Sequence, residues 1–325
     1  MAIVEVEKLT KQFGDFKAVD EVSFEIKEGT IFGFLGPNGA GKTTTLNMLA
    51  TLLPITSGNA RINGYDVQRQ RPEVRKSIGM VFQDPTLDDE LTAYENMDFH
   101  GRMYGMPKKE REEKIAELLE LVELADRQNQ RVEKFSGGMR RRLEIARGIM
   151  HSPRVLFLDE PTLGLDPQTK NHLWNYIENL TQQQRVTIIL TTHYMDEADK
   201  LSDIIAIIDE GEIIALDEPE KLKEDIGGNM IRIRSGQGES IRENLAGRDW
   251  VEDINQNGQY TDISVREAKK GLAETTNILV NKNITFESAG IFTPTLEDVF
   301  LHFTGKTLRE EEASAKDRLR RRKRN

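Results

Sequence analysis

The sequence of 325 residues is 37% hydrophobic and 31% charged, which is typical of globular proteins and leaves room for one large domain and one small domain. Its formal net charge of −10 argues against a general nucleic-acid binder, because such proteins are usually basic. The absence of cysteine excludes disulfides, cysteine-ligated zinc and thiol catalysis.

The N-terminal region is predicted to consist mainly of strands. Its first residues alternate apolar and acidic side chains and do not resemble a signal peptide. Alternation over 4–9 and 22–26 predicts two half-buried strands on either side of a Gly-Asp turn. Apolar runs at 31–35 and 78–82 indicate buried strands, and an Asn-Gly pair predicts a hairpin within 57–66.

The strand at 31–35 leads into a phosphate-binding pattern, G-x-x-x-x-G-K-[ST]. Its glycines let the backbone turn tightly, so that successive N–H groups converge on an anion at the start of a helix. The lysine supplies a charge for the β- and γ-phosphates, and the threonine after it supplies a hydroxyl for Mg²⁺. We expect this segment to bind a nucleoside triphosphate through Gly36, Pro37, Asn38, Gly39, Ala40, Gly41, Lys42, Thr43 and Thr44.

The pattern turns helical between residue 87 and about residue 150. Apolar residues within 115–122 recur at helical spacing and predict one apolar face. The charge run at 109–113 is expected to be a solvated face of that helix.

Alternation of strands and helices returns after residue 150, which implies a largely parallel sheet between helices. The expected elements are strands at 155–159, 186–192, 204–209 and 212–216 and a helix at 168–183. Residues 1–225 are therefore predicted to form an α/β domain with a mixed sheet and a helical subdomain at about 87–150.

A smaller α+β domain is predicted at 230–305, with the β-α-β-β-α-β order of ferredoxin-like folds. Its elements are strands at 230–234, 250–254, 260–265 and 284–289 and helices at 240–246 and 267–281. A final helix follows Thr295, a candidate N-cap. The charged tail at 306–325 ends in a basic cluster and is expected to be disordered, the alternative being attraction to anionic lipid or to an acidic partner.

Two carboxylates stand at the end of the apolar strand at 155–159. Downstream of a phosphate loop, Asp159 is suited to contact Mg²⁺ directly or through water. Glu160 is suited to act as general base for the attacking water, or to orient it. These residues predict hydrolysis as well as binding.

A third segment, Phe135-Ser136-Gly137-Gly138-Met139, precedes that strand by some twenty residues. It resembles the signature motif of ATP-binding cassette (ABC) ATPases, usually L-S-G-G-Q, although Phe135 and Met139 replace its first and last residues. Ser136 is suited to cap a helix whose bare N-terminus attracts phosphate.

Further landmarks of the ABC family follow in order. Gln83 matches the glutamine that binds Mg²⁺ and links to the transporter, and Asp166 matches the D-loop. His193 matches the switch histidine that contacts the γ-phosphate, and Phe13 matches the aromatic residue that stacks on adenine. GTP is disfavoured because no N-K-x-D motif is present. The resemblance implies an ATPase with ATP and Mg²⁺ as cofactors, whose catalytic residues are Glu160, His193, Lys42 and Gln83 and whose metal ligands are Thr43, Gln83 and Asp159.

The resemblance also implies partners. In this family the phosphate loop of one subunit and the signature helix of the other enclose each ATP, so a homodimer is expected. The segments 191–199 and 295–301 resemble the ATP-binding subunits of daunorubicin-resistance exporters, which also carry a small C-terminal domain. This resemblance implies a separately encoded permease that docks on the helical insert near Gln83 and holds this subunit at the cytoplasmic face of the membrane. It is consistent with the sequence, in which no apolar run approaches the roughly 20 residues that span a bilayer.

An ABC ATPase outside transport is the main alternative. DNA-repair members carry a long coiled coil before the acidic strand and translation factors carry two cassettes, whereas this chain has a short gap and one cassette. A nucleotide-sensing module without hydrolysis is disfavoured by the presence of Glu160 and His193.

Overall fold

The structure is a computed structural model that describes residues 2–226, 230–292 and 294–304. The basic tail predicted at 306–325 lies outside the described residues. The chain divides into two compact units, the first ending at Glu218 and the second beginning at Pro219. In the described part of the chain, every helix is too short or too polar to cross a bilayer.

Two sheets form the frame of the first unit. Its strands are β1 (Ala2–Phe13), β2 (Phe16–Lys27), β3 (Ile31–Leu35), β4 (Ser57–Ile62), β5 (Tyr65–Asp66), β6 (Ile78–Val81), β7 (Val155–Asp159), β8 (Thr187–Thr192), β9 (Ile204–Asp209) and β10 (Glu212–Asp217). One sheet is antiparallel, with the order β2-β1-β4-β5. The other has the order β10-β9-β3-β8-β7-β6 and is parallel except for the pair β10–β9. The predicted α/β fold with a mixed sheet is confirmed.

The helices of the first unit cover the parallel sheet and form the insert between β6 and β7. They are α1 (Lys42–Leu49), α2 (Arg71–Ser77), α3 (Ala93–Met103), α4 (Lys108–Leu121), α5 (Gly137–Gly148), α6 (Pro167–Gln184) and α7 (Met195–Leu201). Thr92 caps α3 in a reciprocal capping box with Glu95. Three of these helices, α3, α4 and α5, lie in the region predicted to be helical.

The core of this unit lies on both faces of the parallel sheet. Along β7, Val155 and Phe157 pack toward the antiparallel sheet and α1, whereas Leu156 and Leu158 pack toward the helical insert and α6. All four side chains are fully buried. Because both faces are covered, these strands read as continuous apolar runs in the sequence.

The expectation that residues 109–113 are a solvated face is wrong for Arg111. This side chain is 5% exposed, and it donates hydrogen bonds to the Asp98 carboxylate and, at 2.8 Å, to the Met106 carbonyl. Asp98 lies on α3, so the ion pair fastens α4 to α3. A buried arginine needs such partners, because an unpaired buried charge is costly.

The second unit contains an antiparallel sheet with the order β12-β13-β11-β14. Its elements are α8 (Pro219–Asp225), β11 (Met230–Arg234), α9 (Gly238–Leu245), β12 (Val251–Asn257), β13 (Tyr260–Val265), α10 (Ala268–Asn281), β14 (Ser288–Phe292) and α11 (Leu296–Thr304). The predicted β-α-β-β-α-β order is confirmed, and Thr295 accepts a hydrogen bond from Asp298 N at 3.3 Å as the cap of α11.

The bounds predicted for the last strand, 284–289, are wrong. The strand begins four residues later, at Ser288. Ile284 is buried in the core of this unit, but it sits in the connection that follows α10, next to Asn283 with a positive φ of 56°. The prediction thus took a buried apolar residue in a connection for the first residue of a strand.

Candidate functional site

The loop between β3 and α1 closes tightly around Lys42. The Lys42 ammonium donates to the carbonyl oxygens of Gly36 at 2.6 Å and Pro37 at 3.0 Å, and the residue is 5% exposed. A Cβ on Gly36 would lie only 2.1 Å from the Ile208 carbonyl oxygen, so this position requires glycine. Gly41 caps α1 with a φ of 108°, which other residues rarely adopt. The remaining predicted residues, Asn38, Gly39, Ala40 and Thr44, complete this segment.

The Asp159 carboxylate accepts hydrogen bonds from hydroxyl groups on two different elements. Thr43, at the start of α1, donates to Asp159 Oδ1 at 3.0 Å, and Thr191 on β8 donates to the same atom at 2.5 Å. Asp159 is 2% exposed, so these bonds hold its carboxylate in one place. Hydroxyl and carboxylate oxygens suit Mg²⁺, so Thr43 and Asp159 fit the predicted metal site. Gln83 is exposed beyond β6, and among the described residues no hydrogen bond joins it to Thr43 or Asp159.

Glu160 lies between Lys42 and His193. Its Oε1 atom is 3.2 Å from His193 Nδ1 and 4.0 Å from Lys42 Nζ. Burial alone would raise the pKa of Glu160, but the hydrogen bond from His193 and the charges of His193 and Lys42 outweigh it and lower the pKa. The carboxylate is therefore ionised near neutral pH and able to accept a proton or orient a water molecule.

The backbone of Glu160 adopts a φ of 46°, the left-handed region that is unusual for a side chain of this kind. Its N–H bonds both the carbonyl oxygen of Thr191, at 3.1 Å, and the Thr191 hydroxyl, at 3.0 Å. The turn directs Glu160 away from the line of β7 and toward His193, which follows β8.

Two residues at this site were missed by the sequence reasoning. Thr191 contacts both Asp159 and Glu160, and Arg141 on α5 donates to the carbonyl oxygens of both at 2.8 and 3.3 Å. The register that pairs Asp159 with Thr191 was not readable from the sequence. The one feature of the sequence that could have pointed to Thr191 is its position two residues before His193.

The other predicted residues lie at the ends of separate elements. Ser136 caps α5 by accepting a hydrogen bond from Met139 N at 3.3 Å, with Gly137 and Gly138 in the first turn. Asp166 caps α6, and the hydrogen bond from the Thr169 side chain lowers its pKa. Phe13, at the end of β1, is 49% exposed, and the Lys11 ammonium lies over its ring at 4.9 Å from the centroid. In the described part of the chain, no hydrogen bond joins Ser136, Asp166 or Phe13 to Lys42 or Asp159.

The sequence and the fold are both similar to known proteins. Residues 19–163 match a family model described as ABC transporter. The linearmycin resistance ATP-binding protein of Bacillus subtilis is 38% identical over 312 residues, which cover 95% of this chain and 100% of that protein. The daunorubicin/doxorubicin resistance ATP-binding protein of Streptomyces peucetius is 38% identical over 309 residues, 93% of this chain and 92% of that protein. A Nod factor export ATP-binding protein I of Cupriavidus metallidurans is 35% identical over 311 residues, which cover 95% of this chain and 99% of that protein.

Two solved structures are similar in fold to a large part of this chain. A component of an ABC transporter complex from Clostridium perfringens superposes with a TM-score of 0.65 at 27% identity, covering 76% of this chain and 96% of that one. An ATP-binding cassette in a dimeric, post-hydrolysis state bound to ADP and Pi superposes with a TM-score of 0.60 at 28% identity. The match covers 66% of this chain and 98% of that one.

Proposed function

Because this chain belongs to the ABC transporter family of ATP-binding subunits, we propose that it hydrolyses ATP to power export by a separately encoded membrane protein. The observation that carries this proposal is the cluster at the ends of β3, β7 and β8. There Thr43 bonds Asp159, and Glu160 lies against both Lys42 and His193. The relatives named for drug resistance and for Nod factor export support the export direction.

Each residue of the cluster has a role that its chemistry supports. The loop from Gly36 to Thr44 would cradle the phosphates, with Lys42 leaving its own carbonyl partners to pair with the β- and γ-phosphates. Thr43 and Asp159 would hold Mg²⁺, with the side-chain oxygen of Gln83 as a further ligand. Bound there, the metal would neutralise charge that develops on the phosphates.

Hydrolysis itself would depend on Glu160 and His193. Glu160, ionised because its pKa is lowered, would accept a proton from the attacking water or orient that water. His193, held by its Nδ1 contact with Glu160, would contact the γ-phosphate and report its presence. Phe13 would provide the face on which adenine stacks.

A dimer would complete each site. Ser136, Gly137 and Gly138 form the bare N-terminus of α5, a feature suited to phosphate, but they make no hydrogen bond with Lys42 in the described part of the chain. We propose that they serve the ATP held by a second copy, while Asp166 orders the adjoining loop as a helix cap. Two copies would then enclose two ATP molecules, and their closure would act on the membrane partner.

The membrane partner would place this subunit at the cytoplasmic face of the membrane. We propose that the partner contacts the surface next to Gln83 and α3, where Phe99 and Met103 are 61% and 70% exposed. Exposed apolar side chains grouped on one face of a helix are a common feature of protein–protein interfaces.

The proposal is tested by Glu160→Gln, with Glu113→Gln on the exposed face of α4 as the matched control. Glu160→Gln is expected to lower ATP turnover by at least about 100-fold. ATP binding should persist, and the ATP-bound dimer should accumulate, which gel filtration with ATP measures. Undiminished phosphate release by Glu160→Gln would contradict the role of Glu160, and no release by the unmodified protein would contradict the ATPase itself.

A further inference from the structure

Arg141, in the first half of α5, is buried among backbone carbonyl groups. It is 7% exposed, and its guanidinium donates to the carbonyl oxygens of Phe82 at 2.6 Å, Asp159 at 2.8 Å, Pro161 at 2.9 Å and Glu160 at 3.3 Å. A guanidinium presents its N–H groups in one rigid plane. The four carbonyl groups are therefore held at fixed positions relative to one another.

The carbonyl groups belong to two segments of the proposed site. Asp159, Glu160 and Pro161 are consecutive residues at the end of β7. Phe82 follows β6 and immediately precedes Gln83. One side chain thus sets the distance between the Gln83 loop and the segment that carries the two acidic residues.

A second set of contacts anchors the far end of the Gln83 loop to the same helix. Glu144 pairs with Arg141 at 3.0 Å, and its other oxygen accepts the N–H of Thr86 at 2.8 Å. Arg147, one turn further along α5, donates to the Thr86 carbonyl at 2.8 Å. Both ends of segment 82–86 are therefore fastened to α5.

We infer that Arg141 is a positioning residue, which sets from α5 the spacing between Gln83 and the Asp159–Glu160 segment. The inference rests on the proposed function, because that spacing matters if Gln83 and Asp159 share Mg²⁺ and Glu160 directs water. It goes further by tying both to the helix that begins at Ser136. The N-terminus of α5 would face the ATP held by the second copy, whereas Arg141 contacts the segments that carry Gln83, Asp159 and Glu160 in its own copy. A displacement of α5 at the first of these ATP sites therefore moves the metal-binding and water-orienting segments of the second.

Arg142 provides a matched control, since it is the next residue of the same helix. It donates to the Val122 carbonyl at 2.9 Å and to Glu123 at 3.0 Å, and it contacts neither of the two site segments. Replacing an arginine by lysine keeps the charge but removes the planar set of donors. The pair Arg141→Lys and Arg142→Lys therefore isolates the geometry of the four carbonyl contacts.

The experiment measures ATPase rates of the full-length protein as functions of ATP and Mg²⁺ concentration. Calorimetry in the Glu160→Gln background measures, without turnover, the Mg²⁺ concentration that half-saturates the ATP-bound protein. For Arg141→Lys we expect kcat to fall about 10-fold and half-maximal Mg²⁺ to rise at least about 3-fold, with KM for ATP within about twofold. For Arg142→Lys all three quantities should stay within about twofold of the unmodified protein. The shift in Mg²⁺ requirement separates positioning from a loss of folded protein, which lowers kcat alone.

The possible outcomes distinguish a failure of the proposed ATPase function from a failure of the positioning role of Arg141. An unmodified protein without Mg²⁺-dependent phosphate release overturns the proposed function. An active protein in which Arg141→Lys and Arg142→Lys have the same Mg²⁺ requirement overturns the positioning role of Arg141. Glu144→Gln, a neutral replacement of similar shape, is measured alongside in case Arg141→Lys does not fold. It should raise half-maximal Mg²⁺ in the same direction, and an unchanged requirement in Glu144→Gln also overturns the inference.

Discussion

Thr191→Val tests whether the hydroxyl between the two acidic residues matters for both stability and activity. Thr191 is fully buried on β8. Its hydroxyl donates to Asp159 Oδ1 at 2.5 Å and accepts from Glu160 N at 3.0 Å. Valine has nearly the same shape, so the substitution removes two polar contacts without opening a cavity.

The expected loss of stability follows from what each partner retains. Asp159 keeps the hydroxyl of Thr43, and Glu160 N keeps the carbonyl oxygen of Thr191. Because a hydrogen bond to a charged group contributes about 1.5–3 kcal/mol, and partners remain here, we expect a loss of about 2 kcal/mol. In the proposed metal site, the Asp159 carboxylate would lose one of its two hydroxyl partners and be held less precisely, so kcat should fall by about 10-fold.

Thr187→Val is the matched control on the same strand. Thr187 is also fully buried, and its hydroxyl accepts a single hydrogen bond from Gly29 N at 2.9 Å, at the opposite end of β8. Losing a neutral hydrogen bond should cost about 1 kcal/mol, with kcat unchanged. Urea unfolding and steady-state ATPase assays measure the two quantities. The reasoning is refuted if both variants lose kcat equally, or if Thr191→Val is no more destabilising than Thr187→Val.

Two further predictions concern buried positions. Gly36→Ala should destabilise the protein by about 1–3 kcal/mol or more and abolish ATP binding, because its Cβ would lie 2.1 Å from the Ile208 carbonyl oxygen. Gly290→Ala, where the added Cβ meets no atom within 4 Å outside the adjoining residues of the chain, should change stability by no more than about 0.5 kcal/mol. Similar losses for both variants in urea unfolding would contradict this account. Burial raises the pKa of the Glu197 carboxyl, although the Trp174 side chain donates a hydrogen bond to it at 3.1 Å. The folded protein therefore binds a proton at Glu197 more tightly than the unfolded chain does. The stability that this proton contributes is lost as pH rises through the folded-state pKa. Glu197→Gln stays neutral at every pH, so its stability relative to the unmodified protein should increase as pH rises above the ordinary pKa of a glutamate. A difference in unfolding free energy that does not change with pH would contradict the assigned pKa shift.

Much of the fold could be predicted from local patterns. Both faces of the parallel sheet are covered, so its strands appear as continuous apolar runs such as 31–35 and 155–159. Errors arose where a local pattern had two structural meanings. A charged helical stretch suggested a solvated face, but Arg111 turns inward to Asp98, and Ile284 suggested a strand but packs from a turn.

The sequence by itself determined which chemistry is available: a glycine-rich loop ending in Lys42 and Thr43, and strands ending in Asp159, Glu160 and His193. Those features are local, because backbone conformation and strand burial leave a direct trace in neighbouring residues. Only the tertiary structure decided how they meet. The bond from Thr191 to Asp159 joins residues 32 positions apart, and that from Arg141 to Phe82 joins residues 59 positions apart. The register of parallel strands and the partners of a buried arginine depend on the whole packed domain, so no short segment of the sequence could specify them.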